Sequence, residues 1–394
     1  METNAGTESS NNSDWKGLGD LITLGSERLT RPVEGMHRAI TDRWTGFAGS
    51  WGAPIRQTSR VFTTPIYGAI RLVGEGVGRT VGFVATTGAG SKHLGPLWES
   101  RLGSGVQSVV NGLWGDELER QRSKLSIETS IRSRSGEAIE ANPEALAAAF
   151  PEATPRVVLL LHGLGDTEHG WTGRDLEPGL AATLTDHSFT PLLVRYNSGR
   201  SLSDNGRALS ILLEQVIQMW PVAVSDVSLV GHSMGGLVAH NSLLAADEAG
   251  HRWRRQARNV VTLGTPHLGT PLEKSVHWAS RILAHISETR PIGEFLDQRS
   301  TGIKDLGSGL GLETDGEVAH YYIAGAVTSK PGHPLAKLLG DLVVPVNSAI
   351  GTDRRKRVAA ADVRVFAGRN HRALIHDSDV HEEILAWLTQ STSE

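Results

Sequence analysis

The chain has no cysteine among its 394 residues. That absence excludes disulfides, thiolate metal ligands and cysteine nucleophiles together. Long apolar runs are missing as well. The apolar, glycine-rich stretch from residue 69 to 84 is interrupted by Arg71, Glu75 and Arg79, well short of the ~20 residues that span a bilayer. No transmembrane helix is expected. Residues 1 to 15 carry neither the basic start nor the apolar core of a secretory signal, so a cytoplasmic location is expected. A net charge of −4 gives no field suited to nucleic acid, and no such partner is expected. What is present is a 39% apolar composition, enough for one large α/β domain plus an accessory region.

Composition divides the chain into zones. Residues 1–14 are polar and read as a disordered tail. Residues 15–115 hold five of the ten tryptophans, and the apolar residues of segments such as Leu21 to Trp44 recur near helical spacing between breaks at Pro32, Pro54 and Pro65. This zone reads as an accessory region of amphipathic helices. Between Arg28 and Arg79 it carries eight arginines against three acids, Glu34, Asp42 and Glu75. Such an excess suits either a solvated face packed on the rest of the protein or peripheral contact with a membrane or lipid surface.

From residue 121 to 394 the pattern alternates between strands and helices. Strands are expected at 124–132, 157–161, 190–196, 227–230, 259–263, 320–326 and 363–367. Helices are expected at 175–186, 205–220, 234–249 and 380–388. Alternation of this kind implies a mostly parallel sheet covered by helices on both faces. Residues 265–317 are too many for a simple crossover, and with a helix-like piece at 272–286 they read as an inserted cap.

Within this frame, Val227 to Gly235 reads Val-Ser-Leu-Val-Gly-His-Ser-Met-Gly. With 45 glycines in the chain, a bare Gly-x-Ser-x-Gly arises by chance roughly 0.4 times. Its context, an apolar strand before and a proline-free helical run after, is what a nucleophile elbow requires, and it makes Ser233 the candidate nucleophile. A serine hydroxyl needs a base to take its proton and an acid to orient that base. Asp341 lies beyond the strand at 320–326 and is the preferred acid, while Asp315 precedes that strand, Asp362 opens the next and Asp353 adjoins a basic run. His371 follows the strand at 363–367 and is the preferred base over His376, which stands at an apparent helix start. His232 is read as structural. The backbone N–H groups of Leu164, in the turn His162-Gly-Leu-Gly165, and of Met234 are the candidate oxyanion donors.

Five segments then carry a resemblance: Leu161 to Asp166, Gly231 to Gly236, Leu263 to Thr270, Asp341 to Ser348 and His371 to Asp377. In this order the chain resembles the α/β-hydrolase superfamily, and within it the lipase and esterase group that includes bacterial triacylglycerol lipases and proteins similar to GPI inositol-deacylase. The resemblance implies an α/β-hydrolase fold and ester hydrolysis through an acyl-enzyme with a Ser-Asp-His triad; it does not imply which substrate, and an ester or lipid substrate is expected as the partner. It implies no metal and no organic cofactor, and it favours His371, which begins His-x-x-Leu-Ile. An acyltransferase or thioesterase using the same triad and a non-catalytic binding protein on this fold are the competing readings.

Overall fold

The computed structural model describes residues 99–123, 125–174, 177–269, 300–306, 318–328, 341, 343–351 and 360–390. Along the chain the elements are α1 (Arg101–Arg120), β1 (Ser130–Arg132), β2 (Ala138–Ile139), α2 (Pro143–Ala149), β3 (Arg156–Leu161), β4 (Gly173–Arg174), β5 (Glu177–Pro178) and α3 (Leu180–Asp186). They continue with β6 (Thr190–Arg195), α4 (Leu202–Gln218), β7 (Asp226–His232), α5 (Met234–Ala249), β8 (Ala257–Leu263), α6 (Thr301–Asp305), β9 (Ala319–Ala326), α7 (Val346–Ala349), β10 (Asp362–Ala367), α8 (Ala373–His376) and α9 (Ser378–Gln390).

Eight strands form one sheet in the order β10-β9-β8-β7-β3-β6-β1-β2. From β10 through β6 every pairing is parallel, and only the short β1 and β2 run antiparallel. Parallel strands are buried on both faces and read as continuous apolar runs, which is what Val157 to Leu161 and Val227 to Val230 provide. Val158, Leu160, Val230, Val261 and Leu263 form one core with Leu180 and Leu184 of α3 and Ile384 and Trp387 of α9. The alternate residues Val157, Leu159, Leu229 and Val260 are equally buried and so face the other side, where α4 and α5 pack on each other and α5 packs on β7 and β8. The architecture is that of an α/β hydrolase, and the elements of the described residues fall in one compact unit.

Three expected elements are redrawn. The strand expected at 124–132 is paired only over Ser130–Arg132, because the residues before it bond to α1 instead. The Asn111 side chain accepts from Ile127 N at 2.9 Å and donates to Leu125 O at 2.7 Å. The helix expected from 175 begins at Leu180, since Glu177–Pro178 is first taken up in a small hairpin with Gly173–Arg174. The helix expected from 205 begins earlier, at Leu202, because Ser201 caps it by accepting from Asp204 N at 3.0 Å. Helix α1 runs across the expected boundary at residue 115. The rest of the 15–115 region and the helix-like piece at 272–286 lie outside the described residues.

Candidate active site

β7 delivers the chain to the carboxyl end of the sheet, and α5 leads it away. Ser233 stands between them with φ 55° and ψ −120°. For a side chain in this left-handed region the cost is about 1–3 kcal/mol. The corner is held from β8: Ser233 N donates to Leu263 O at 2.8 Å, and the Thr265 hydroxyl donates to Ser233 O at 2.8 Å. The elbow's glycines are required by crowding, since a Cβ on Gly235 would sit 2.4 Å from Leu161 O. Ser233 is fully buried, and its Oγ has no hydrogen-bond partner among the described residues.

Asp341 and His371 lie 30 residues apart in sequence and meet at a hydrogen bond of 2.6 Å between His371 Nδ1 and Asp341 Oδ2. The other carboxylate oxygen, Oδ1, accepts from Val343 N at 2.9 Å and Val344 N at 2.6 Å. His371 N donates to Asp341 O at 3.0 Å. In the tautomer where Nδ1–H donates to this carboxylate, the lone pair of a neutral His371 is on Nε2. Nε2 is buried and has no partner among the described residues.

Gly264, at the end of β8, joins this pair to Ser233. Its neighbour Leu263 accepts from Ser233 N, while a Cβ on Gly264 would stand 2.9 Å from both Asp341 Oδ2 and His371 Nδ1 and 3.0 Å from His371 Cε1. The serine and the histidine–aspartate pair thus flank a single step of backbone.

His232 belongs to the same assembly. Its ring lies 4.5 Å from that of His371, and its Nε2 donates to His371 O at 3.1 Å. Burial, reinforced by the neighbouring His371, holds its pKa well below the ordinary value and keeps it neutral. It braces the backbone that carries the candidate base.

The turn after β3 forms the opposite wall. A Cβ on Gly163 would be 3.2 Å from Ser233 Cβ. His162 shapes the turn: Nδ1 donates to Gly163 O at 2.8 Å, Nε2 accepts from Tyr196 N at 3.3 Å, and the Tyr196 hydroxyl donates to His162 O at 2.6 Å. Burial lowers the pKa of His162, which fits this neutral role. Leu164 is buried in the turn, and its N–H meets no acceptor among the described residues. Met234 opens α5, so its N–H has no acceptor within the helix.

Two rival candidates stand at other points of the chain's elements. Asp362 lies at the start of β10, where it accepts from Trp387 Nε1 at 3.3 Å. His376 ends α8. Asp315 and Asp353 lie outside the described residues. Sequence reasoning gave Thr265 and Gly264 no role, although both stand just past a strand that pairs with β7, where a residue must meet the elbow. It also passed over Glu168, whose carboxylate accepts from Arg195 Nε at 2.8 Å with both side chains buried. Burial alone raises the Glu168 pKa, but the bonds and charge of Arg195 outweigh it and leave the carboxyl below its usual range. Among the described residues no three His, Asp or Glu side chains gather to hold a metal ion, and no helix is long and apolar enough to cross a membrane.

Parts of the chain are similar to known proteins. Residues 194–288 match the family model described as a PGAP1-like alpha/beta domain. A triacylglycerol lipase of Burkholderia plantarii is 29% identical over 143 residues, covering 36% of this chain and 37% of the lipase. The chain therefore matches little more than a third of that relative's length. Among solved structures, the RedJ thioesterase of the prodiginine pathway in Streptomyces coelicolor aligns with a TM-score of 0.39 and 15% identity over 61% of this chain and 91% of its own. A lipase-esterase related protein of Clostridium acetobutylicum aligns with a TM-score of 0.36 and 14% identity over 66% and 98%. The sheet has the α/β-hydrolase architecture, and part of the chain is similar to a PGAP1-like alpha/beta domain and to a triacylglycerol lipase.

Proposed function

We propose that the protein is a serine carboxylic-ester hydrolase acting on lipid esters, with Ser233 as nucleophile, His371 as base, Asp341 as the orienting acid, and the N–H groups of Leu164 and Met234 as the oxyanion hole. One observation carries this reading. The Asp341–His371 hydrogen bond leaves Nε2 of His371 without a partner among the described residues, as Ser233 Oγ is on its strained elbow, and the Leu263–Gly264 backbone touches both the serine and the histidine–aspartate pair.

In the reaction, His371 Nε2 takes the Ser233 proton as Oγ attacks the ester carbonyl, and the negative oxygen is held by the two N–H groups. The imidazolium, stabilised by Asp341, gives the proton to the departing alcohol as the acyl-enzyme forms. Water, deprotonated by His371, then releases the acid and restores the serine. Every proton passes through one nitrogen, and no cofactor is consumed.

In this reading the expected catalytic domain of residues 121–394 is extended by helix α1, which belongs to the same compact unit, with 265–317 as a cap. Residues 15–115 contact a lipid surface through the arginine excess noted above, a role that failure of the full-length protein to sediment with anionic vesicles would remove. Substrate class is tested by kcat/KM over p-nitrophenyl esters of increasing chain length, measured beside acyl-CoA substrates. Rates that rise with chain length and vanish in Ser233→Ala support a lipid esterase. Preference for the thioesters, or for transfer to an acceptor over water, replaces it with a thioesterase or acyltransferase.

A further inference from the structure

The geometry points to Ser198 and Gly112 as positioning residues for the oxyanion turn, an inference that rests on the assignment of Leu164 N–H as an oxyanion donor. The residue after Leu164 is Gly165, with φ 65°. Its N–H donates to Ser198 Oγ at 2.9 Å, and both groups are buried. Helix α1 presses on the same spot: a Cβ on Gly112 would stand 3.2 Å from Gly165 Cα, 3.2 Å from Gly165 N and 3.4 Å from Ser198 Oγ.

Ser198 is itself clamped from two sides. Asn197 donates to Gly115 O of α1 at 2.9 Å and accepts from Gly199 N at 3.0 Å. From the far end of the expected cap, Ser300 Oγ donates to Gly112 O at 2.7 Å, Gly302 N donates to Gly199 O at 3.0 Å, and Thr301 N and Oγ1 donate to Asp116 Oδ2 at 3.0 and 2.7 Å. Thus residues 300–302 tie α1 to the loop 197–199, and α1 and that loop meet at one amide, the Gly165 N–H. The sheet fixes only the start of the turn, at the end of β3. The Leu164 N–H lies in the 163–164 peptide, whose carbonyl accepts from His162 Nδ1 and Asp166 N, and holding the Gly165 N–H fixes the adjoining 164–165 peptide, so that the donor cannot swing through the φ and ψ of Leu164. A donor misplaced by about 1 Å costs on the order of 10²-fold in rate, and complete loss of one donor costs about 10²- to 10³-fold.

Two variants test this. Ser198→Ala removes the acceptor, and Gly112→Ala puts a methyl group where the turn must move a few tenths of an ångström to admit it. For each, thermal melting reports folding, and kcat and KM are measured on an oxygen ester and on the matching thionoester, whose developing sulfur anion accepts hydrogen bonds weakly. The expected result is a folded protein with kcat on the oxygen ester reduced about 10- to 100-fold, KM nearly unchanged, and the oxygen-to-sulfur rate ratio compressed. A purely structural role lowers both esters alike and leaves the ratio where it was, which overturns the proposal, as does an unchanged kcat in both variants. An active wild-type enzyme with indifferent variants removes only the positioning role. A wild-type protein that turns over no ester and takes no serine-directed probe removes the hydrolase reading beneath it.

Discussion

Replacing Gly264 with alanine separates backbone strain from damage to the site. At φ +56° an alanine costs roughly 1–2 kcal/mol. Its methyl would also lie 2.9 Å from Asp341 Oδ2, 2.9 Å from His371 Nδ1 and 3.0 Å from His371 Cε1. Ordinary contact distances of about 3.5 Å oblige the pair to retreat by about half an ångström, and overpacking of this kind adds roughly 1–3 kcal/mol. Gly250, which ends α5 at φ +65°, is the control, because a Cβ there meets nothing within 4 Å. Gly250→Ala is expected to cost only the strain and leave ester turnover unchanged. Gly264→Ala is expected to lose more stability and, with His371 displaced from Ser233, about 10²-fold or more in kcat/KM, equivalent to about 2.7 kcal/mol of transition-state stabilisation. The assays are urea denaturation and initial rates on a p-nitrophenyl ester. A folded Gly264→Ala protein with wild-type kcat/KM refutes the reasoning.

Two further outcomes concern stability. Arg195→Met leaves the buried Glu168 carboxylate unpaired, and urea denaturation is expected to show a loss of about 3–5 kcal/mol; a loss below about 1 kcal/mol contradicts the buried pair. Acid is expected to unfold the protein through its buried histidines. Burial, with His320 adding to it, pushes His267 down to about 3, and burial holds His240 and His232 well below the ordinary value. These rings take protons in the unfolded chain near pH 6.5 but not in the fold. Stability is therefore full above about pH 6.5 and falls as the pH drops toward 3, by up to about 1.4 kcal/mol per pH unit for each histidine. Glu168, depressed in the fold, adds to the loss in the same direction. Urea midpoints between pH 7 and pH 4 check this, with a shallower slope expected for His267→Gln, and a flat profile excludes it.

The parts of the fold legible in the sequence are those where one local pattern decides the structure. Val157 to Leu161 has no choice but a buried parallel strand, and Met234 to Ala249 forms the helix its composition specifies, over those residues. Errors arose where a distant side chain competes with the local pattern. The alternating stretch at 124–132 satisfies a strand by periodicity, yet Asn111 draws Leu125 and Ile127 toward α1. The positions of Asp341 and His371 followed from the order of strands, because each lies past the end of a strand at the edge where β7 ends. The bracing around them had no such signal. That His232 holds the backbone of His371, that Thr265 holds the carbonyl of Ser233, and that Ser198 holds Gly165 depend on contacts across 139, 32 and 33 residues. Only the folded chain reveals them.

The central claim is that Ser233 is a nucleophile activated by His371 and Asp341, and covalent labelling addresses it most directly. A fluorophosphonate, which is captured by an activated serine, is incubated with the full-length protein and the modified peptide is identified by mass spectrometry. A single adduct on Ser233, absent in Ser233→Ala and strongly slowed in His371→Ala, is the predicted result. No adduct on the folded wild-type protein, or labelling that persists unchanged in Ser233→Ala, contradicts it.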